Sequence, residues 1–219
     1  METSVACQNM GMGFSQPKDT WNARFDRDDY LFGREPNAFL HREAKRLNLG
    51  RTLCVADGEG RNSVYLAGLG HQVEAFDLAD LGVQKAEQLA QDQGVQVTYL
   101  TCGWEDYPWP TSGFDNVVAI FIQFADPSAR ARLFTHMQQC LKPGGRLLLQ
   151  GYTPKQLEYK TGGPPHLDHL YTCELIEHAF PTLETELLME YEDEIHEGTG
   201  HHGRSALLGY VGVKPKTSL

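Results

Sequence analysis

Apolar positions along this chain follow two rhythms, a short continuous run and a helical repeat, and the two alternate. The segment "EPNAFLHREAKRLNLG" carries an apolar stripe at Phe39, Leu40, Ala44 and Leu47, with Pro36 suited to a first turn and Asn48 and Gly50 able to end the helix. After it, 53–56 reads as a strand, 62–69 as a helix and 73–76 as a strand. "LGVQKAEQLAQDQG" puts Val83, Ala86 and Ala90 on one helix face, and 95–100 is again β-rich. Residues 117–122 are apolar throughout, as a strand covered on both faces is. Asp126 and Pro127 make a helix start, Asp as the N-cap and Pro at the first position, with Leu133, Met137 and Leu141 on the buried face. "LKPGG" stops that helix and "RLLLQG" is another strand.

Strands alternating with helices at this spacing predict a parallel, doubly wound sheet. The end of the chain breaks the rule. Residues 182–196 and 204–213 are both β-like, with only "EGTGHHG" between them. A parallel pair needs a longer crossover, so these two strands are expected to be antiparallel neighbours.

The bulk numbers narrow the picture. The 219 residues suit one domain with a full core. Residues 1–20 are polar and glycine-rich and are expected to be a mobile N-terminal segment, leaving 21–219 as a single domain. No basic start followed by an apolar block is present, and no apolar run approaches the roughly 20 residues that cross a bilayer. The formal charge of −10 argues against nucleic acid as a partner, because that binding relies on basic surface. Five scattered cysteines, with no CxxC pair, read as reduced thiols of a cytoplasmic protein.

Candidate chemistry begins at "CVADGEGRNS". A tight glycine turn after a strand lets backbone N–H groups and a helix N-terminus approach a ligand. Gly58 and Gly60 supply that turn. A dinucleotide fingerprint, G-x-G-x-x-G, would need glycine at 63, where Ser63 stands. The next strand ends in Asp77, and a carboxylate there can accept hydrogen bonds from both hydroxyls of a ribose. Asp80 reads as the cap of the following helix. Loop and Asp77 point to an adenosine-containing ligand without separating NAD from S-adenosylmethionine.

The order of elements, "WNARFDRDDYLFGREPNAFL", "ADGEGRNSVYLAGLG", "LKPGG", "YTPKQLEYKTGGP" and "EGTGHHGRSALL" together resemble class I S-adenosylmethionine-dependent methyltransferases. The resemblance is closer to small bacterial and cyanobacterial tellurite-resistance (SmtA-like) methyltransferases, and more distant to thiopurine methyltransferases. It implies a Rossmann-like, seven-stranded, mostly parallel sheet with helices on both faces and a C-terminal antiparallel β-hairpin. It implies S-adenosylmethionine as cofactor, S-adenosylhomocysteine as product, and a small-molecule acceptor bearing a thiol, selenium or tellurium nucleophile. By the same resemblance Ala56, Asp57 and Gly58 face the methionine moiety, and Gly60 lets the helix start close. Asp77 holds the ribose and Leu78 packs on adenine. Gly103, Trp104 and Glu105 meet the adenine edge, largely through backbone, and Phe121 and Gln123 floor the pocket near the sulfonium. Two positions depart from the wider class: Cys54 stands where many members have an acid, and Ala56 where many have glycine.

Trp21, Phe25 and Phe32 share the spacing of aromatic positions that lie over the cofactor in thiopurine methyltransferases. That makes 21–35 a candidate lid, with Trp21 and Phe32 its principal rings, since π-faces attract a sulfonium. Tyr30, Tyr152, Tyr159, His196 and His201 are candidates for the acceptor pocket. No residue stands out as catalytic, and an anionic nucleophile would need no base. "HLDH" and "HEGTGHH" lack the helical spacing that aims two rings at one metal ion, so no metal is expected. The competing readings are an NAD(P)-dependent reductase and a non-catalytic S-adenosylmethionine sensor. A monomer and a homodimer are both compatible with the sequence.

Overall fold

The computed structural model describes residues 16–216. The first fifteen residues of the expected mobile segment lie outside the described residues, and Pro17–Phe25 form helix α1. Seven strands make one sheet: β1 (Arg51–Val55), β2 (Gln72–Asp77), β3 (Val97–Thr101), β4 (Phe114–Ile120), β5 (Leu141–Tyr152), β6 (Glu184–Glu197) and β7 (His201–Val213). Their order is β3-β2-β1-β4-β5-β7-β6. The first five are parallel, and β7 is antiparallel to both β5 and β6. The expected closing hairpin is therefore present, with a turn of only three residues, Gly198 to Gly200.

Period-two alternation sends successive side chains of the central strands to opposite faces. Leu53, Val55, Val117, Ala119, Leu147 and Leu149 enter one core with Leu133, Phe134 and Met137 of α5 (Pro127–Cys140) and Ile176 of α7 (Cys173–Ala179). Cys54, Ala75, Val118 and Leu148 enter the other, with Phe39 and Leu40 of α2 (Ala38–Glu43) and Leu66 of α3 (Arg61–Gly68). A strand such as β4 is thus apolar on both sides because helices cover both sides.

Local signals place most helices. Asp126 accepts from the Ala129 N–H at 2.9 Å, capping α5 as its sequence predicts. Three expectations are corrected. Asn37, not Pro36, opens α2, its side chain accepting from the Leu40 N–H at 3.0 Å. Asp80 does not cap α4 (Asp80–Asp92): it occupies the first turn, paired with Lys18, and Asp77 accepts the Ala79 N–H instead. Leu141 opens β5 and does not close α5. A short α6 (Gln156–Tyr159) completes the set.

The chain reverses its direction of winding between β1 and β4. Open α/β sheets bind ligands in the crevice at the carboxyl ends of the strands at such a switch point. The ends of β1, β2 and β4 carry the residues that the sequence singles out.

Candidate active site

β1 runs out at Val55 and the chain turns through three residues in the left-handed region, Ala56 (φ 50), Gly58 (φ 60) and Gly60 (φ 88). Ala56 holds a conformation that glycine adopts freely and alanine does not, so this turn stores backbone strain of about 1–3 kcal/mol. A Cβ on Gly60 would lie 2.6 Å from Ala86 Cβ and 2.7 Å from its Cα. Glycine here lets α4 close on the start of α3.

Asp77, at the tip of β2, is tied to this turn. Its Oδ2 accepts the Gly58 N–H at 2.8 Å and its Oδ1 the Ala79 N–H at 2.9 Å. Burial pushes its pKa up, and those backbone donors work against the shift. Each oxygen retains a second lone pair, so the carboxylate can still accept ribose hydroxyls. Asp57 accepts a short hydrogen bond from the Ser63 hydroxyl. Burial raises its pKa to about 7; the Ser63 bond opposes this and the neighbouring Asp77 charge adds to it. Leu78 lies next to Gly103, where a Cβ would be 3.6 Å from Leu78 Cδ1.

Above the turn, α1 is docked on α4 by Asn22, whose side chain accepts the Leu81 N–H, and by Lys18 with Asp80. This brings Phe25 against Gly58 and Gly82. From there the rings form a chain. Trp21 stacks on Phe25 at 5.5 Å, Phe25 meets Phe32 at 6.4 Å, and Phe32 meets His201 at 4.4 Å. His201 touches Phe121 at 4.3 Å, and Phe121 stacks on Tyr152 at 4.6 Å. Phe121 follows β4 directly with φ 56, a further non-glycine residue in the left-handed region. Strain of this kind persists where the surroundings fix it, and clusters at functional sites.

The strap at 31–33 rests on the β6–β7 turn. The Gly200 N–H donates to Leu31 O at 2.8 Å, and Cβ atoms on Gly198 or Gly200 would strike the strap at 2.4–2.5 Å. Beneath them Arg61 donates to Phe32 O at 3.1 Å and pairs with Glu197 at 2.7 Å. Glu197 also accepts from the Asn37 amide and the Ala38 N–H. Burial acts against its charge, but His201, Arg61 and the Ala38 N–H outweigh that and hold its pKa down to about 2. Asn62 Oδ1 accepts the Asn37 N–H at 3.0 Å, and sequence reasoning misses this group of Asn37, Asn62, Arg61 and Glu197. The signal available was "GREPN" and "GEGRN", polar residues inside two helix starts.

Four expected site residues go elsewhere. Tyr30 donates to Lys85 O and packs by the α3–α4 core. Tyr159 joins the exposed ionic group of Lys155, Glu192 and Arg204. His196 faces outward, paired with His202 at 4.9 Å, because alternation along β6 puts Ile195 and Glu197 inside. Glu105 pairs with Arg132 on the surface. Trp104 turns its ring to Arg132 and His136, and its carbonyl accepts the Trp109 indole N–H at 2.8 Å. Gln123 is committed to backbone: it accepts the Tyr152 N–H and donates to Tyr152 O and His169 O. It clamps β5 beside β4 and positions Tyr152.

Among the described residues no helix is long and apolar enough to cross a membrane. Residues 53–145 match a family described as the methyltransferase domain. A ubiquinone biosynthesis O-methyltransferase from Xanthomonas euvesicatoria pv. vesicatoria (strain 85-10) is 38% identical over 102 residues, 45% of this chain and 41% of that protein. The chain thus spans less than half the length of the curated relative it matches. Two solved structures share the fold. One, from work on the conversion of a disulfide bond into a thioacetal group during echinomycin biosynthesis, has a TM-score of 0.74 at 15% identity over 92% of this chain and 93% of that one. The other, the N-methyltransferase NodS from Bradyrhizobium japonicum WM9 in complex with S-adenosyl-L-homocysteine, has a TM-score of 0.68 at 12% identity over 91% and 98%. These likenesses favour a methyltransferase over the NAD(P)-dependent reductase. Residues 53–145 are thus similar to a methyltransferase domain, which supports S-adenosylmethionine as cofactor and S-adenosylhomocysteine as product.

Proposed function

We propose that this protein transfers a methyl group from S-adenosylmethionine to a small molecule with a thiol, selenium or tellurium nucleophile, as its resemblance to tellurite-resistance (SmtA-like) methyltransferases suggests. One observation carries the reading: the turn at 56–60, tied to Asp77, lies under Phe25, whose ring leads through Phe32 to the cluster of His201, Phe121 and Tyr152. The half-buried Asp77 carboxylate and the glycine turn fit a ribose and an amino-acid tail, and Leu78 with Gly103 fits an adenine. The cofactor, when bound, supplies an electrophilic methyl on a positively charged sulfur.

This chain's residues bind, align and exclude water. Asp77 would hold the ribose and Asp57, when ionised, the cofactor's ammonium. The faces of Phe32 and Phe121 attract a cation. The strap packed on the β6–β7 turn excludes water and fixes the acceptor in line. The same reading places the protein in the cytoplasm, as a monomer or homodimer.

A second reading, methylation of a hydroxyl, is favoured by the curated relative being an O-methyltransferase. Incubation with methyl-labelled S-adenosylmethionine and a panel of thiols, selenite, tellurite, phenols and amines tests both. Label in thiol or chalcogen products is expected. Label in phenol products alone moves the assignment to O-methylation, and cofactor binding with no turnover across the panel makes the protein a sensor.

A further inference from the structure

Two polar atoms at the end of the ring chain have no partner. His201 Nδ1 and the Tyr152 hydroxyl are both buried without a hydrogen bond among the described residues. Tyr152 is 1% exposed and His201 8%. Their rings stand at 87° with centroids 5.8 Å apart, and both touch Phe121. Burying such groups unpaired is unfavourable, and a packing role alone does not explain it.

His201 is also oriented. Its Nδ1 stands 3.8 Å from Glu197 Oε2, within ion-pair reach and too long for a hydrogen bond in this state. Catalytic hydrogen bonds of this kind are often long before substrate binds. A carboxylate on that side favours the proton on Nδ1 and leaves the Nε2 lone pair free to accept. The ionisable groups facing the imidazole are Glu197 on β6, Arg61 on α3, Arg24 on α1 and Tyr152 on β5. Burial lowers the pKa of His201; Glu197 opposes this, and the two arginines add to it, so the ring is neutral at neutral pH.

From this arrangement we infer that the acceptor is a nucleophile still carrying its proton at neutral pH, and that His201, held by Glu197, takes that proton. The inference rests on the methyl-transfer reading and narrows it to neutral thiols, or hydroxyls, over chalcogen anions. The acceptor's X–H bond breaks as its proton moves to His201 Nε2. The freed electron pair forms the bond to the methyl carbon, and the methyl–sulfur pair stays on sulfur. The imidazolium then returns the proton to water. Glu197 is a positioning residue in this scheme, and the Tyr152 hydroxyl is placed to hydrogen-bond the acceptor.

Two thiols separate proton removal from packing. Benzyl mercaptan keeps its proton at neutral pH, whereas pentafluorothiophenol is already a thiolate. His201→Gln is expected to lower kcat/KM about 100-fold with benzyl mercaptan, the scale of general-base catalysis, and less than about threefold with pentafluorothiophenol. Its affinity for S-adenosylhomocysteine should stay within about twofold of wild type. Equal losses on both thiols, or none on either, overturn the inference alone. Wild-type protein that turns over neither thiol overturns the methyl-transfer reading and this inference with it. A nitrogen-15 spectrum of the wild-type histidines needs no turnover: His201 should be neutral with the proton on Nδ1. A proton on Nε2, or a charged ring at neutral pH, overturns the inference while leaving methyl transfer intact.

Discussion

Arg61 and Glu197, 136 residues apart in the chain, share a buried ion pair of 2.7 Å that joins the start of α3 to the end of β6. Arg61 also holds the strap through Phe32 O, and Glu197 holds α2 through Asn37 and Ala38. Removing one partner leaves the other charge buried and alone. Glu197→Leu should therefore lose about 3–5 kcal/mol in urea unfolding. Arg61→Met with Glu197→Leu should recover about half, because the Ala38 N–H and the Asn37 amide stay unpaired. With a pKa depressed from 4.5 to about 2, Glu197 contributes its full stability above about pH 4.5 and loses it as the pH falls toward about 2.

The contact between Gly60 and Ala86 predicts a cost for one methyl group. Gly60→Ala would place a Cβ within 2.6–2.7 Å of Ala86 at a φ of +88. Overpacking and backbone strain together should destabilise by about 3 kcal/mol in thermal or denaturant unfolding. Ala86→Gly in the same chain should restore part of that loss.

Ala56 offers the opposite test. Its φ of 50 suits glycine better than alanine. Ala56→Gly relieves about 1–2 kcal/mol of strain and adds unfolded-state entropy worth about 0.4–1 kcal/mol. The variant should be neutral to about 1 kcal/mol more stable, measured by urea midpoint. A loss of stability would show that Ala56 is not strained.

Asp57 predicts a pH dependence of cofactor binding. Burial chiefly raises its pKa to about 7, so it is mostly protonated at pH 6 and mostly ionised at pH 8. If the carboxylate pairs with the cofactor's ammonium, affinity rises across this window. S-adenosylhomocysteine should bind about five- to tenfold more tightly at pH 8 than at pH 6 by calorimetry. Asp57→Asn should flatten that profile.

The sheet was legible because alternation and helix starts are local. Asp126 with Pro127 capped α5 as read, and the short "EGTGHHG" did force an antiparallel pair. Helix α1 was not legible: "PKDTWNARF" has no apolar stripe, and what fixes it is its docking on α4 through Asn22 and Lys18. The hairpin histidines show a second limit. His196 and His201 were both candidates for the acceptor pocket, but the three-residue turn and the register of β6 and β7 put one outside and one inside. Arg61 and Glu197 carry no local signal in the sequence, because their partnership is set by tertiary contact alone. The glycine loop and Asp77 each stood out in the sequence; that Asp77 bonds the loop's own backbone required the structure.

The central claim is that an adenosyl cofactor binds at the strand tips with Asp77 on its ribose. Calorimetric titration of S-adenosylhomocysteine into wild type and Asp77→Ala, with NAD as the control ligand, tests it most directly. One S-adenosylhomocysteine should bind per wild-type chain, NAD should not bind, and the variant should bind about 10- to 100-fold more weakly, the loss expected for charged hydrogen bonds. Unchanged affinity in a folded Asp77→Ala chain, or NAD binding in place of S-adenosylhomocysteine, would contradict it.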